Sequence, residues 1–129
     1  VDELSVFEVE AAPIREHFTA LLESGTPHAA GGCAFLDAAG GCRIYADRPY
    51  VCRTQGLPLR WLEDLEGQTV EHRDICLLNE TNEPIEELAE VDCFTLGPFE
   101  EGLAHLQIAQ SLVSGAPARV SLRGLFAKK

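Results

Sequence analysis

At 129 residues, with 46% hydrophobic and 24% charged side chains, the chain has the composition of one globular domain and not of a disordered or fibrous protein. Its formal charge of −11, from 21 acidic and 10 basic residues, repels phosphate backbones and anionic bilayers, which argues against nucleic acid or a membrane as partner. No run of about 18 apolar residues is present to span a bilayer, and no secretory leader is visible. Val1 in place of methionine points to a segment upstream.

Residues 5–24 read as a broken helix. Ser5 and Glu8 have the spacing of a capping box, and Pro13, which lacks an N–H, sets the start of the main helix. Ile14, Phe18, Leu21 and Leu22 form its expected buried stripe, and Gly25 ends it. Residues 25–56 carry three cysteines and six glycines with little periodic pattern, so they read as loop, with turns near Cys42–Tyr45 and Asp47–Pro49. Leu57, Leu59 and Trp61 then alternate as a strand does. A turn at Glu66-Gly67-Gln68 and a return over Thr69–Ile75 predict a hairpin that delivers Cys76.

Pro84–Glu90 predicts a short acidic helix. A longer helix is predicted over Pro98–Ser114: proline suits its first turn, Glu100 and Glu101 complement its dipole, and Gly115 and Pro117 stop it. Phe99, Leu103, Leu106, Ala109 and Val113 share a face expected to pack on the core. The Lys128-Lys129 end is expected to fray. The fold class predicted is α+β: one small domain over residues 1–129, with helices packed around a Cys/Gly-rich loop region and a short β-hairpin.

Cys33, Cys42, Cys52 and Cys76 carry the chemistry. Eight, nine and 23 residues separate them in turn, so a folded frame must gather them. Such spread thiolates suit an iron–sulfur cluster as well as a tetrahedral zinc, and unligated buried cysteine is the competing explanation. An odd total of five cysteines fits a disulfide framework poorly and a reducing cytoplasm well. Arg43, Arg48 and Arg53 flank the thiols, where guanidinium groups can stabilise thiolate charge or pair with the many carboxylates.

The run Cys33-x-Phe35-Leu36, then Cys42-x-Ile44-Tyr45-x-x-Arg48-Pro49-x-x-Cys52-Arg53, then Cys76-x-Leu78-Asn79 resembles the YkgJ-type cysteine-cluster family, which is described as chelating zinc or iron. The resemblance covers the middle third of the chain. It implies a metal centre, zinc or an iron–sulfur cluster, held by Cys33, Cys42, Cys52 and Cys76. Arg48 and Arg53 then stand as partners of the thiolates, and Tyr45 and Pro49 shape the loop. Two departures stand out: the upstream Cys-x2-Cys-Cys cluster common in the family is absent, and Ala34 stands where the family often has proline.

Cys93 lies outside the motif and reads as a buried bystander. His28 and His72, near Cys33 and Cys76, are the candidates to replace a thiolate. His17 and His105 fall in predicted helices and need no special role. Gly31-Gly32 and Gly40-Gly41 lack the Gly-Lys-Ser/Thr of a phosphate loop, and Asp37, Asp47 and Glu8 form no recognisable acid–base pair. Metal binding without catalysis is therefore the expectation. Two alternatives stay open. One is a redox or catalytic cluster enzyme, since some proteins resembling this family are linked to lysine methylation of flagellin, although no methyl-donor site is recognisable. The other is an interaction module with a structural metal, whose acidic Glu83–Asp92 segment meets a protein partner.

Overall fold

The computed structural model describes residues 4–79, 83–115 and 117–128; Lys129, half of the end expected to fray, lies outside them. The fold is α+β, and the chain divides into two compact units, residues 1–50 with 103–129 and residues 51–102.

The first unit holds the apolar core. Strand β1 (Ser5–Phe7) pairs antiparallel with β5 (Arg119–Ser121), Val6 opposite Val120. Helix α1 (Glu8–His17) follows β1 directly, and α2 (Thr19–Ser24) follows a break at Phe18. Val6, Ala11, Ile14, Leu22, Ala34, Phe35, Ile44, Leu122 and Phe126 are buried together as its core.

The predicted start of the first helix is corrected here. Ser5 belongs to β1, and α1 begins five residues before Pro13, which sits inside it. The helix therefore forgoes the bond that the Pro13 nitrogen would make, a local cost that tertiary contacts offset. No Ser5–Glu8 capping box forms. The Glu10 carboxylate accepts from the Phe7 N–H at 3.4 Å, and the Gln107 side chain accepts from the Val9 N–H at 2.9 Å. Two amides left over at the helix start thus find acceptors. Glu8, itself buried, pairs with Arg15 about two turns on. Ile14 and Leu22 are buried as expected, while Phe18 and Leu21 are half-buried, and the Gly25 N–H closes α2 on the Leu21 carbonyl.

Helix α4 (Pro98–Ser114) has the predicted bounds but not the predicted face. Gln107 is its buried residue, flanked by half-buried Leu103 and Ala104. Phe99, Leu106 and Val113 are exposed, Val113 at 90%. The helix is oriented by a polar contact: Gln107 caps α1 with its oxygen and donates to the Ser111 hydroxyl at 3.0 Å with its nitrogen.

The second unit is built on a three-stranded sheet of order β3-β2-β4. Strands β2 (Leu59–Leu65) and β3 (Gln68–Asp74) form the predicted hairpin, with Trp61 opposite His72. Glu66 and Gly67, at φ 49° and 82°, make the two-residue turn that this right-handed twist favours. Strand β4 (Phe94–Thr95) runs parallel to β2. The segment predicted as an acidic helix is two 3-10 turns, Ile85–Glu87 and Glu90–Asp92. Among the described residues of this unit, Thr54, Arg60 and Cys93 are the buried ones, so ion pairs and hydrogen bonds carry much of what an apolar core does elsewhere.

Candidate metal centre

Cys33 and Cys42 lie on the two arms of one tight loop in the first unit. Leu36 bridges Cys42 across the loop, and the Leu36 N–H donates to the Cys33 carbonyl at 3.1 Å. Asp37 closes the tip, its Oδ1 accepting from the Ala39 and Gly41 amides at 2.9 and 2.8 Å. This Asx-type turn accounts for an aspartate followed by two glycines at 40 and 41.

Three side chains fix that loop. Phe35 is 1% exposed and meets Phe126 with ring centroids 4.9 Å apart. Arg43 donates to the Ala34 carbonyl at 2.7 Å and the Thr26 carbonyl at 3.0 Å, and its guanidinium lies over the Phe126 ring. Arg123 donates to the His28 and Gly32 carbonyls at 2.6 and 3.1 Å. Arg43, read from the sequence as a neighbour of thiolates, therefore works as a clamp on backbone oxygens. Arg123 carries no sequence signal for its matching role, because its targets lie about ninety residues away.

Between Cys42 and Cys52 the 3-10 turn Tyr45–Asp47 is held from two sides. The Arg48 guanidinium sits 3.6 Å from the Tyr45 ring centre and donates to the Tyr45 carbonyl. His17 Nδ1 lies 2.6 Å from Asp47 Oδ2, and that carboxylate raises the His17 pKa. Pro49 is buried and the Tyr50 N–H donates to Glu10 at 2.6 Å, which anchors the chain just before helix α3 (Tyr50–Arg53). Tyr45 and Pro49 thus shape the loop. Glu8, Asp37 and Asp47, weighed as acid–base groups, are all engaged in structural contacts.

In the second unit Cys52 lies in α3 and Cys76 follows β3. Asn79 ties the two segments together: its N–H donates to the Cys76 carbonyl at 2.8 Å, and its side-chain Nδ2 donates to the Gly56 carbonyl at 2.9 Å. A Cβ on Gly56 would stand 2.5 Å from that nitrogen, and Gly56 has φ 82°. Only glycine meets both demands. Asn79 is thus a positioning residue for Cys76, and its motif place directly after Leu78, three residues after Cys76, was the signal for it.

None of the five cysteines is in a disulfide: Cys33, Cys42 and Cys52 are half-buried, Cys76 is exposed and Cys93 buried. Cys93, outside the motif in sequence, lies at the end of the Glu90–Asp92 turn and is buried. The His72 ring stacks on Trp61 at 5.4 Å, and its Nε2 lies 2.8 Å from Glu63 Oε2, so it is occupied within the hairpin. His28 is pinned through its backbone beside Gly32. Within neither unit, among the described residues, are three or more His, Cys, Asp or Glu side chains already gathered as a metal cage. The donor set is nevertheless chemically suited to a soft ion: reduced thiols, half-buried or exposed, in turns whose backbone is fixed by other contacts.

A family model matches residues 2–77, more than half of the chain and a span that includes all four motif cysteines. No curated protein and no solved structure matches the chain. The Cys-x2-Cys-x2-Cys-Cys spacing from which that family takes its name is absent from this sequence. The chain belongs to the CxxCxxCC family, described as a "putative zinc- or iron-chelating domain".

Proposed function

We propose that this chain is a metal-binding protein of a reducing compartment that holds one zinc ion or one iron–sulfur cluster through the thiolates of Cys33, Cys42, Cys52 and Cys76. The observation that carries the reading is that the family match spans all four cysteines, each in a motif segment fixed by named contacts. Bound metal would supply a strong four-point tie, and binding free energy of this kind is also folding free energy. The tie matters most for residues 51–79, where Thr54 and Arg60 are the buried residues, and less for residues 33–44, which Phe35, Arg43 and Arg123 already hold. Arg48 and Arg53 add positive charge beside the cysteine-bearing segments, which would offset the negative charge of a thiolate centre.

The test is metal stoichiometry in Cys42→Ser beside Cys93→Ser. Cys42→Ser should lose most of its metal and exchange amide hydrogens faster over residues 51–79, while Cys93→Ser keeps wild-type content. Unchanged stoichiometry in Cys42→Ser, or equal loss in both variants, would remove Cys42 from the ligand set.

A further inference from the structure

The acidity of the chain is unevenly spread. Residues 51–102 contain 13 of the 21 acidic residues and three of the 10 basic ones, Arg53, Arg60 and Arg73. Arg60 and Arg73 are turned to internal use: Arg60 meets Glu71 and Glu90, and Arg73 pairs with Glu71 and donates to the Ile85 and Leu88 carbonyls. The second unit therefore presents a strongly negative surface around whatever it binds.

An open cleft of about 290 Å³ in that unit is lined by Trp61, Leu62, Leu96, Gly97 and Glu100. Its volume sits at the lower edge of the range for whole small-molecule ligands, roughly 300–1,000 Å³, and its openness to solvent suits a side chain entering from a partner. The lining combines an aromatic ring, aliphatic walls and one carboxylate. Trp61 is held in place by the His72 ring stacked on it, and His72 by Glu63. Glu100 stands in the first turn of α4, where an acidic side chain complements the helix dipole.

We infer that this cleft receives an arginine side chain of a basic polypeptide partner, by a route that does not depend on the metal centre. A guanidinium is planar and weakly hydrated: it stacks on an indole face, lays its methylene stem along Leu96, and turns its fork to a carboxylate such as Glu100. A lysine ammonium, compact and strongly hydrated, satisfies the carboxylate but gains less from the ring. The surrounding carboxylates steer the cationic segment inward and repel anionic competitors.

Trp61 is the single tryptophan of the chain, so its emission reports occupancy directly. The experiment titrates the full chain with tetra-arginine, tetra-lysine and free arginine at moderate salt, and repeats the tetra-arginine titration by calorimetry on Glu100→Gln, Trp61→Leu and Glu66→Gln. Tetra-arginine should shift Trp61 emission saturably and bind about three-fold or more tighter than tetra-lysine of equal charge. Glu100→Gln and Trp61→Leu should each weaken it about three- to five-fold. Glu66→Gln removes the same charge at the hairpin tip and should change affinity less than about two-fold. Equal binding of the two peptides, or equal losses in Glu100→Gln and Glu66→Gln, would reduce the effect to general charge attraction and overturn the assignment. Free arginine binding as tightly as the peptide would overturn the polypeptide partner.

Discussion

Phe35→Ala should destabilise the protein by about 3–5 kcal/mol, the usual cost of removing a fully buried phenylalanine. The whole stability of a domain this size is about 5–15 kcal/mol, so much of it rests on this ring. Phe35 is 1% exposed, packs 4.9 Å from Phe126, and offers its backbone carbonyl to the Arg43 N–H at 2.9 Å. Truncation leaves a cavity between the Cys33–Cys42 loop and the C-terminal 3-10 turn Arg123–Leu125 that carries the Arg123 clamp. Urea unfolding followed by circular dichroism measures the loss, and Phe35→Leu, which refills part of the volume, should lose less than half as much. A cost under about 1 kcal/mol for the alanine variant would show that Phe35 is not a core anchor. Because Phe35 lies two residues from Cys33, the same variant should also lower metal retention.

Arg60→Ala should cost about 2–3 kcal/mol, a large effect for a charged residue. Arg60 is 6% exposed in the central strand of the second unit's sheet, donates to the Thr95 hydroxyl at 2.9 Å, and reaches Glu71 and Glu90 at 3.3 and 3.2 Å. Breaking a buried ion pair by deleting one partner costs about 3–5 kcal/mol. The figure is reduced here because Glu71 and Glu90 are 35% and 71% exposed and keep much of their hydration. Glu71 feels the loss most, since Arg73 first and Arg60 second hold its pKa below the usual carboxylate range. Arg60→Met keeps the packed stem and should recover part of the loss. Trp61 fluorescence during urea unfolding reads both variants. Equal stability of Arg60→Ala and wild type would mean that the sheet does not need this charge.

The sequence was most legible where structure is decided locally. The Glu66-Gly67 turn set the hairpin register, and Pro98, Gly115 and Pro117 bracketed the long helix, because turn and cap preferences act within a few residues. Prediction failed where distant contacts decide. Pro13 reads as a first-turn proline, yet Glu10 and Gln107 supply acceptors that let the helix begin at Glu8. The hydrophobic spacing of α4 pointed to Leu106 and Val113 facing inward, whereas Gln107 faces in because it caps a helix 98 residues earlier in the chain. The acidic stretch from Pro84 gave 3-10 turns in place of a helix, with Arg73 binding the Ile85 and Leu88 carbonyls.

The candidate site divides in the same way. The thiol motif and the family were readable from residue order alone, since the motif mixes cysteines with Arg-Pro and Leu-Asn at fixed spacing. The work of the surrounding residues was not. Arg43 holds carbonyls and Arg48 stacks on Tyr45, and neither role can be told from that of a thiolate partner until the backbone path is known.

The central claim is that the motif thiols hold a metal, and the most direct measurement is metal and acid-labile sulfide per chain in protein purified without oxygen, read with its visible absorption. The account predicts a stoichiometric centre: about one zinc per chain in colourless protein, or iron with matching sulfide in coloured protein. Protein that is fully folded, with the Cys33, Cys42, Cys52 and Cys76 thiols reactive and no stoichiometric zinc or iron, would contradict it.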